Sequence, residues 1–167
     1  MGMYLSVIRV SGDQLNAFRL HSKLLEDLLN NEATFDAKEW LDLDKSWDGI
    51  QYLLTGKGVA DFQSPPTVLG RAIFSEQLLD PDQDLGYGPA HFLNPEQVKE
   101  TAKALISQNP LEMIGKADPK EMERMAVYPG FWTQEGTMEY LQDGLIALCA
   151  FYMTAAEQNE AIISFLT

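Results

Sequence analysis

The chain has 167 residues, enough for one domain with a real core, and its 46% hydrophobic and 22% charged residues exclude the disordered and fibrous classes. Its 25 Asp and Glu stand against 12 Lys and Arg, a formal net charge of −13. A surface of that sign repels phosphate backbones and anionic lipid, so no nucleic acid and no membrane is expected as a partner.

The acid is spread along the chain rather than gathered in a tail. It reads either as a solvated surface or as a face that docks a basic protein partner. Cys149 is the only cysteine, which rules out an internal disulfide framework, and its apolar surroundings predict a buried, inert thiol. Met1 to Val10 is too short for a signal peptide and lacks a basic leader. Its fit to the N-myristoylation pattern is read as a chance match, because the same residues read better as a strand. No apolar run approaches the roughly 20 residues of a spanning helix.

In chain order, Met3 to Val10 is predicted to be a strand covered on both sides. Ser11 and Gln14 have capping-box spacing and open a helix through about Asn30, with Leu15, Phe18, Leu25 and Leu28 inward. Asp44 is the expected N-cap of a second helix, with Trp47, Ile50 and Leu54 as its stripe and Gly56 as its stop. Residues 57–87 are weakly patterned, and Val68 to Phe74 suits helix or strand equally. Asn94-Pro95-Glu96 starts a third helix with Val98, Ala102, Leu105 and Ile106 inward, and Asp118-Pro119 starts a short one through about Val127. The last helix, about Gln134 to Glu157, places Met138, Leu141, Leu145, Leu148 and Tyr152 at three- and four-residue steps. Ala161 to Leu166 closes the chain as a strand. The expected fold class is α+β, a single domain over residues 1–167 with a small sheet joining the N- and C-terminal strands, packed by about five helices.

Several chemistries find no footing. There is no phosphate-binding glycine loop, no nucleophile elbow and no cysteine cluster, and His21 and His91 are the only histidines. Asp80, Asp82 and Asp84 alternate as calcium ligands would, but Leu85 stands where glycine is needed and His91 where the closing glutamate belongs. No metal site and no cofactor is expected. Asp44 and Asp48, one helical turn apart on the same polar side of the second helix, would suit acid–base work if burial split their pKa values, but capping and the helix dipole already explain them. His21 reads as a packed or boundary residue. His91 ends the Tyr87-Gly88-Pro89-Ala90 loop just before a helix start, where Arg71 and free amides offer a place for an anion. Tyr128-Pro129-Gly130-Phe131-Trp132 is a rigid aromatic turn, suited to a pocket wall or to core covering.

Leu41-Asp42-Leu43-Asp44-Lys45-Ser46-Trp47-Asp48, continuing through Leu54-Thr55-Gly56, resembles the signature of the YfbM-like family of bacterial domain-of-unknown-function proteins. The Met1-Gly2-Met3 start, Gly86-Tyr87-Gly88-Pro89-Ala90, Asn94-Pro95-Glu96-Gln97-Val98 and Tyr128-Pro129-Gly130 are similar to the same family. The resemblance implies a bacterial, cytoplasmic, stand-alone α+β domain, with Asp44, Lys45 and Trp47 as a hallmark, and it implies no reaction. Two functions follow as expectations. One is a non-enzymatic acidic interaction protein that neutralises or regulates a basic protein. The other is a small-molecule-binding enzyme or sensor, with a pocket between Asp44, Lys45, Trp47 and Asp48 on one side and Tyr87 and His91 on the other, walled by Tyr128 or Trp132.

Overall fold

The computed structural model describes residues 2–31, 36–62 and 64–167; Met1, where the acylation pattern begins, lies outside them. The two chain ends pair as expected. Strand β1 (Leu5–Val10) runs antiparallel to a strand at Ala161–Leu166, with Leu5 opposite Leu166 and Val10 opposite Ala161. Two short strands that the sequence did not signal complete the sheet: β2 (Trp40–Asp42) beside β1, and β3 (His91–Leu93) beside the terminal strand, β4. The order is β2-β1-β4-β3, antiparallel throughout.

All six residues of β1 are buried, because helices cover both faces of the sheet. Alternation along the strands sends Leu5, Val7, Ile162 and Leu93 into the larger core, and Ile8, Val10, Ile163 and Phe165 into the smaller one. The smaller core is closed by α1 (Gly12–Leu20) and α2 (Lys23–Leu29). Ser11 and Gln14 do form the reciprocal cap, but the single helix expected through Asn30 is two. His21 leaves helical geometry (φ −142°, ψ 84°), and the Ser22 hydroxyl donates to Asp80 Oδ2 at 2.6 Å. His21 is therefore exposed at the break rather than packed.

The larger core is closed by α3 (Trp47–Thr55), α4 (Pro95–Ile106), α5 (Pro110–Lys116), α6 (Pro119–Arg124) and α7 (Thr137–Glu157). Asn94 and Asp118 cap as expected, whereas α5 was not foreseen, although Asn109-Pro110 repeats the same start logic. Leu141, Leu145, Leu148 and Tyr152 form the buried stripe of α7. Ile106 does not turn inward; it is 58% exposed, because Leu105 beside it takes the core-facing position at the end of α4. Val68 to Phe74 is neither helix nor strand but holds one 3-10 turn at Gly70–Ala72. Cys149 is half-buried, and burial raises its thiol pKa.

Helix α3 carries the site residues and lies deep. Gly49 lets it do so: a Cβ there would lie 2.5 Å from Trp132 Cη2 and 2.8 Å from Leu141 Cδ1. Among the described residues no helix is long and apolar enough to cross a membrane.

Candidate functional site

Asp44 is not the N-cap of α3. The helix starts at Trp47 after Ser46, and Asp44 sits three residues earlier with a positive φ of 48°. Capping geometry is thus out of its reach. Its carboxylate instead accepts the Tyr140 hydroxyl at 2.9 Å, and the same hydroxyl oxygen accepts Lys45 N–H at 2.9 Å. Burial, reinforced by the bond to Asp44, pushes the Tyr140 pKa up to about 12, so the phenol stays protonated and remains a donor. The Lys45 ammonium lies 5.3 Å over the Tyr4 ring, and among the described residues no cation forms an ion pair with Asp44. This arrangement opens on a cleft of about 360 Å³ lined by Asp44, Lys45, Phe131, Glu135 and Tyr140 among others.

Asp48 does not share a face with Asp44. It is fully buried, and its two oxygens accept Val59 N–H at 2.6 Å and Tyr128 N–H at 2.8 Å. One carboxylate thereby ties two loops to α3. Burial raises its pKa, while the two backbone bonds work against that rise. Asp48 is a structural clasp rather than a site residue open to ligand.

Trp47 is buried, donates from Nε1 to Met3 O at 3.1 Å, and stacks on Tyr128 with ring centroids 5.4 Å apart. Its other neighbour is Phe74, edge-on at 5.5 Å, and Phe74 in turn lies 5.3 Å from His91. Tyr128, Trp47, Phe74 and His91 therefore form one aromatic ladder. Its His91 end faces an open groove of about 320 Å³ lined by Val59, Phe62, Phe74, Glu76, His91 and Leu166. His91 lies on β3 rather than in a loop, and its Nδ1 accepts Glu76 N–H at 3.1 Å. That bond requires a neutral ring nitrogen, and burial lowers the His91 pKa despite the nearby Glu76 charge.

The remaining expected members lie elsewhere. Tyr87 is 47% exposed and makes no hydrogen bond or ring contact with the others. Trp132 is buried and donates to Val127 O at 2.9 Å, which makes it core covering. The expected single pocket is thus two separate clefts, one at Asp44 and Lys45 and one at His91, which share no lining residue. At the anion place beside His91, Arg71 is not free: it is committed to Thr101 Oγ1, Gln97 O and Glu100 Oε2 at 2.8, 3.2 and 2.7 Å. Asp80 and Asp84 accept hydrogen bonds from their own loop, and no cluster of three metal-ligating side chains occurs among the described residues.

Sequence reasoning missed Tyr140, Phe74 and Gln51. Tyr140 lies just off the apolar stripe of α7, and Gln51 interrupts the apolar face of α3, so both left a trace. Phe74 left none, because it reaches Trp47 through an irregular segment.

The class is now defined: an α+β domain with a four-stranded antiparallel sheet between two helical layers. A family model described as Domain of unknown function (DUF1877) matches residues 1–165, and the chain belongs to that family. The crystal structure of YfbM from Escherichia coli, a protein of unknown function, matches with a TM-score of 0.73 over 100% of both chains. At 21% identity that likeness shows the fold alone, and it agrees with the YfbM-like resemblance of the motifs. No curated protein matches the chain.

Proposed function

We propose that this chain is a small acidic binding protein that docks a basic protein partner, with the Asp44–Tyr140 cleft receiving an arginine or lysine side chain. The observation that carries the reading is the Asp44 carboxylate itself. It is half-buried, held in place by Tyr140, and has no cation as ion-pair partner among the described residues. Phe131 and Tyr140 flank it, and a guanidinium favours a site that offers both a carboxylate and ring faces. Five ion pairs form among the described residues, which leaves most of the 25 acids to set a long-range negative field. The test is binding of an arginine-rich peptide and of basic proteins at low and high salt, with Asp44→Asn as control. Binding at low ionic strength that the substitution weakens about tenfold supports the reading. Absence of any basic ligand at low salt, where steering is strongest, overturns it.

A second reading rests on the aromatic ladder. Its open end at Phe74, Phe62 and His91 suits an apolar or aromatic small molecule, with the His91 ring as the polar contact. A thermal-shift screen of aromatic metabolites, compared between the wild type and His91→Gln, tests it.

A further inference from the structure

Among the described residues two buried side chains carry a polar atom without a hydrogen-bond partner, Arg9 at Nε and Gln51 at Oε1; Arg9 bonds through its other two nitrogens, whereas the Gln51 side chain does not bond at all. Gln51 sits on α3 one turn after Trp47, is only 3% exposed, and its carboxamide makes no hydrogen bond to any described residue. Its Oε1 is fully sealed and without a partner. Buried amides are almost always paired, so an amide with no bond at either end marks a place where something is missing.

Gln51 lines a cavity of about 60 Å³, together with Thr55, Lys57, Phe62, Pro65, Pro66, Thr67 and Gly70. That space admits roughly four waters, or a compact ligand head of similar size. Its walls are already committed in a way that leaves only some groups free. The Thr55 hydroxyl is used between Gln51 O, Lys57 O and Lys57 N–H, and the Thr67 hydroxyl oxygen accepts Gly70 N–H. The Lys57 ammonium forms no ion pair among the described residues. Gly70 holds the far wall close: a Cβ there would lie 3.5 Å from Gln51 Nε2 and 3.1 Å from Thr55 Cγ2. Phe62, Pro65 and Pro66 supply the apolar lining.

We infer that this cavity is a binding site for a small molecule with a carboxamide or lactam edge, an N–H beside a C=O. Such an edge answers both ends of the Gln51 amide, giving its carbonyl to Nε2–H and its N–H to Oε1. The terminal amide torsion is soft enough to bring both atoms to the ligand. The apolar body of the ligand rests on Phe62 and the two prolines, and the Lys57 charge at the rim excludes cationic ligands. The site is independent of the Asp44 cleft and of the His91 groove as a place for polar recognition, although Phe62 belongs to both this cavity and the groove.

The experiment titrates the protein with 2-pyrrolidinone and, separately, with N-methylpyrrolidinone, which keeps the ring and carbonyl but carries a methyl in place of the N–H hydrogen. The Gln51 side-chain amide resonances and the backbone signals of 55–70 are followed by NMR. The expected result is saturable perturbation by 2-pyrrolidinone at these residues, with binding at least about tenfold weaker for the N-methyl analogue. Gln51→Leu, which removes the orphaned amide without opening space, abolishes the perturbation. Gln51→Glu, whose carboxylate accepts but cannot donate to the ligand carbonyl, weakens it. Equal response to the two lactams, response that survives Gln51→Leu, or a high-resolution crystal structure in which ordered water alone fills the cavity after a lactam soak overturns the inference.

Discussion

Replacing Asp48 with asparagine isolates what a buried carboxylate contributes to this fold. In the wild type its two oxygens accept Val59 N–H at 2.6 Å and Tyr128 N–H at 2.8 Å, with no solvent contact. Asparagine has the same shape but only one acceptor oxygen, and its amino group would point a donor at the second backbone N–H. Hydrogen bonds to a charged acceptor contribute about 1.5–3 kcal/mol each, and an orphaned donor costs about as much again. Relief of a buried charge offsets part of this, so the net loss at pH 7 is about 2 kcal/mol, or roughly 4–8 °C in Tm for a chain of this length. Denaturant unfolding across pH then separates the two effects. Burial raises the native pKa of Asp48 above its ordinary value of 3.8, so between those values the folded state holds the extra proton. Wild-type stability from this group is therefore greatest below the unfolded pKa and declines as pH rises through the native one. The variant has no such titration, and the gap between the two proteins should narrow from pH 4 toward neutrality. No destabilisation at pH 7, or a gap that widens with pH, would show that the Asp48 carboxylate does not hold the two loops in this way.

Three further outcomes are expected. Gly49→Ala places a methyl 2.5 Å from the Trp132 ring and should cost about 1–3 kcal/mol in denaturant unfolding, whereas Gly115→Ala, with nothing within 4 Å, should not destabilise. Tyr140→Phe leaves Lys45 N–H and Asp44 without their shared partner and should cost about 1–2 kcal/mol. The same substitution should remove from the ultraviolet titration a phenol that ionises near pH 12. Because burial lowers the His91 pKa below 6.5, the unfolded chain takes up this proton first; stability should fall as pH drops below 6.5, and His91→Gln should abolish that part of the slope in unfolding measured from pH 5 to 7.

The sequence announced the elements whose local chemistry is self-sufficient. The Ser11–Gln14 box, the Asn94-Pro95 helix start, the stripe of α7 and the two apolar terminal strands depend on neighbours a few residues away, and the structure has them all. Strands β2 and β3 were illegible because three residues carry too little alternation, and only the partner strand makes them strands. Asp44 misled for a related reason. Its spacing to Trp47 suits a cap, but the chain turns through a left-handed residue, and Tyr140, 96 positions away, claims the carboxylate. The candidate site suffered most: Trp47, Tyr128 and His91 do lie in one ladder, but only through Phe74, which no local pattern ties to them.

Helix α3 shows why burial alone does not distinguish structure from function. Three polar side chains lie buried on or beside it, and two are fully answered: Ser46 Oγ donates to Leu43 O at 2.7 Å, and Asp48 accepts two backbone amides. Their burial is explained by the loops they hold. Gln51 lies three residues beyond Asp48 in the same helix and holds nothing. A leucine there would fill the volume and remove an unanswered amide, so the fold by itself gives no reason for glutamine. Where a protein carries a stability cost that a simple substitution would relieve, the compensating gain has to come from outside the folded chain, and the cavity beside Gln51 is where that partner would enter.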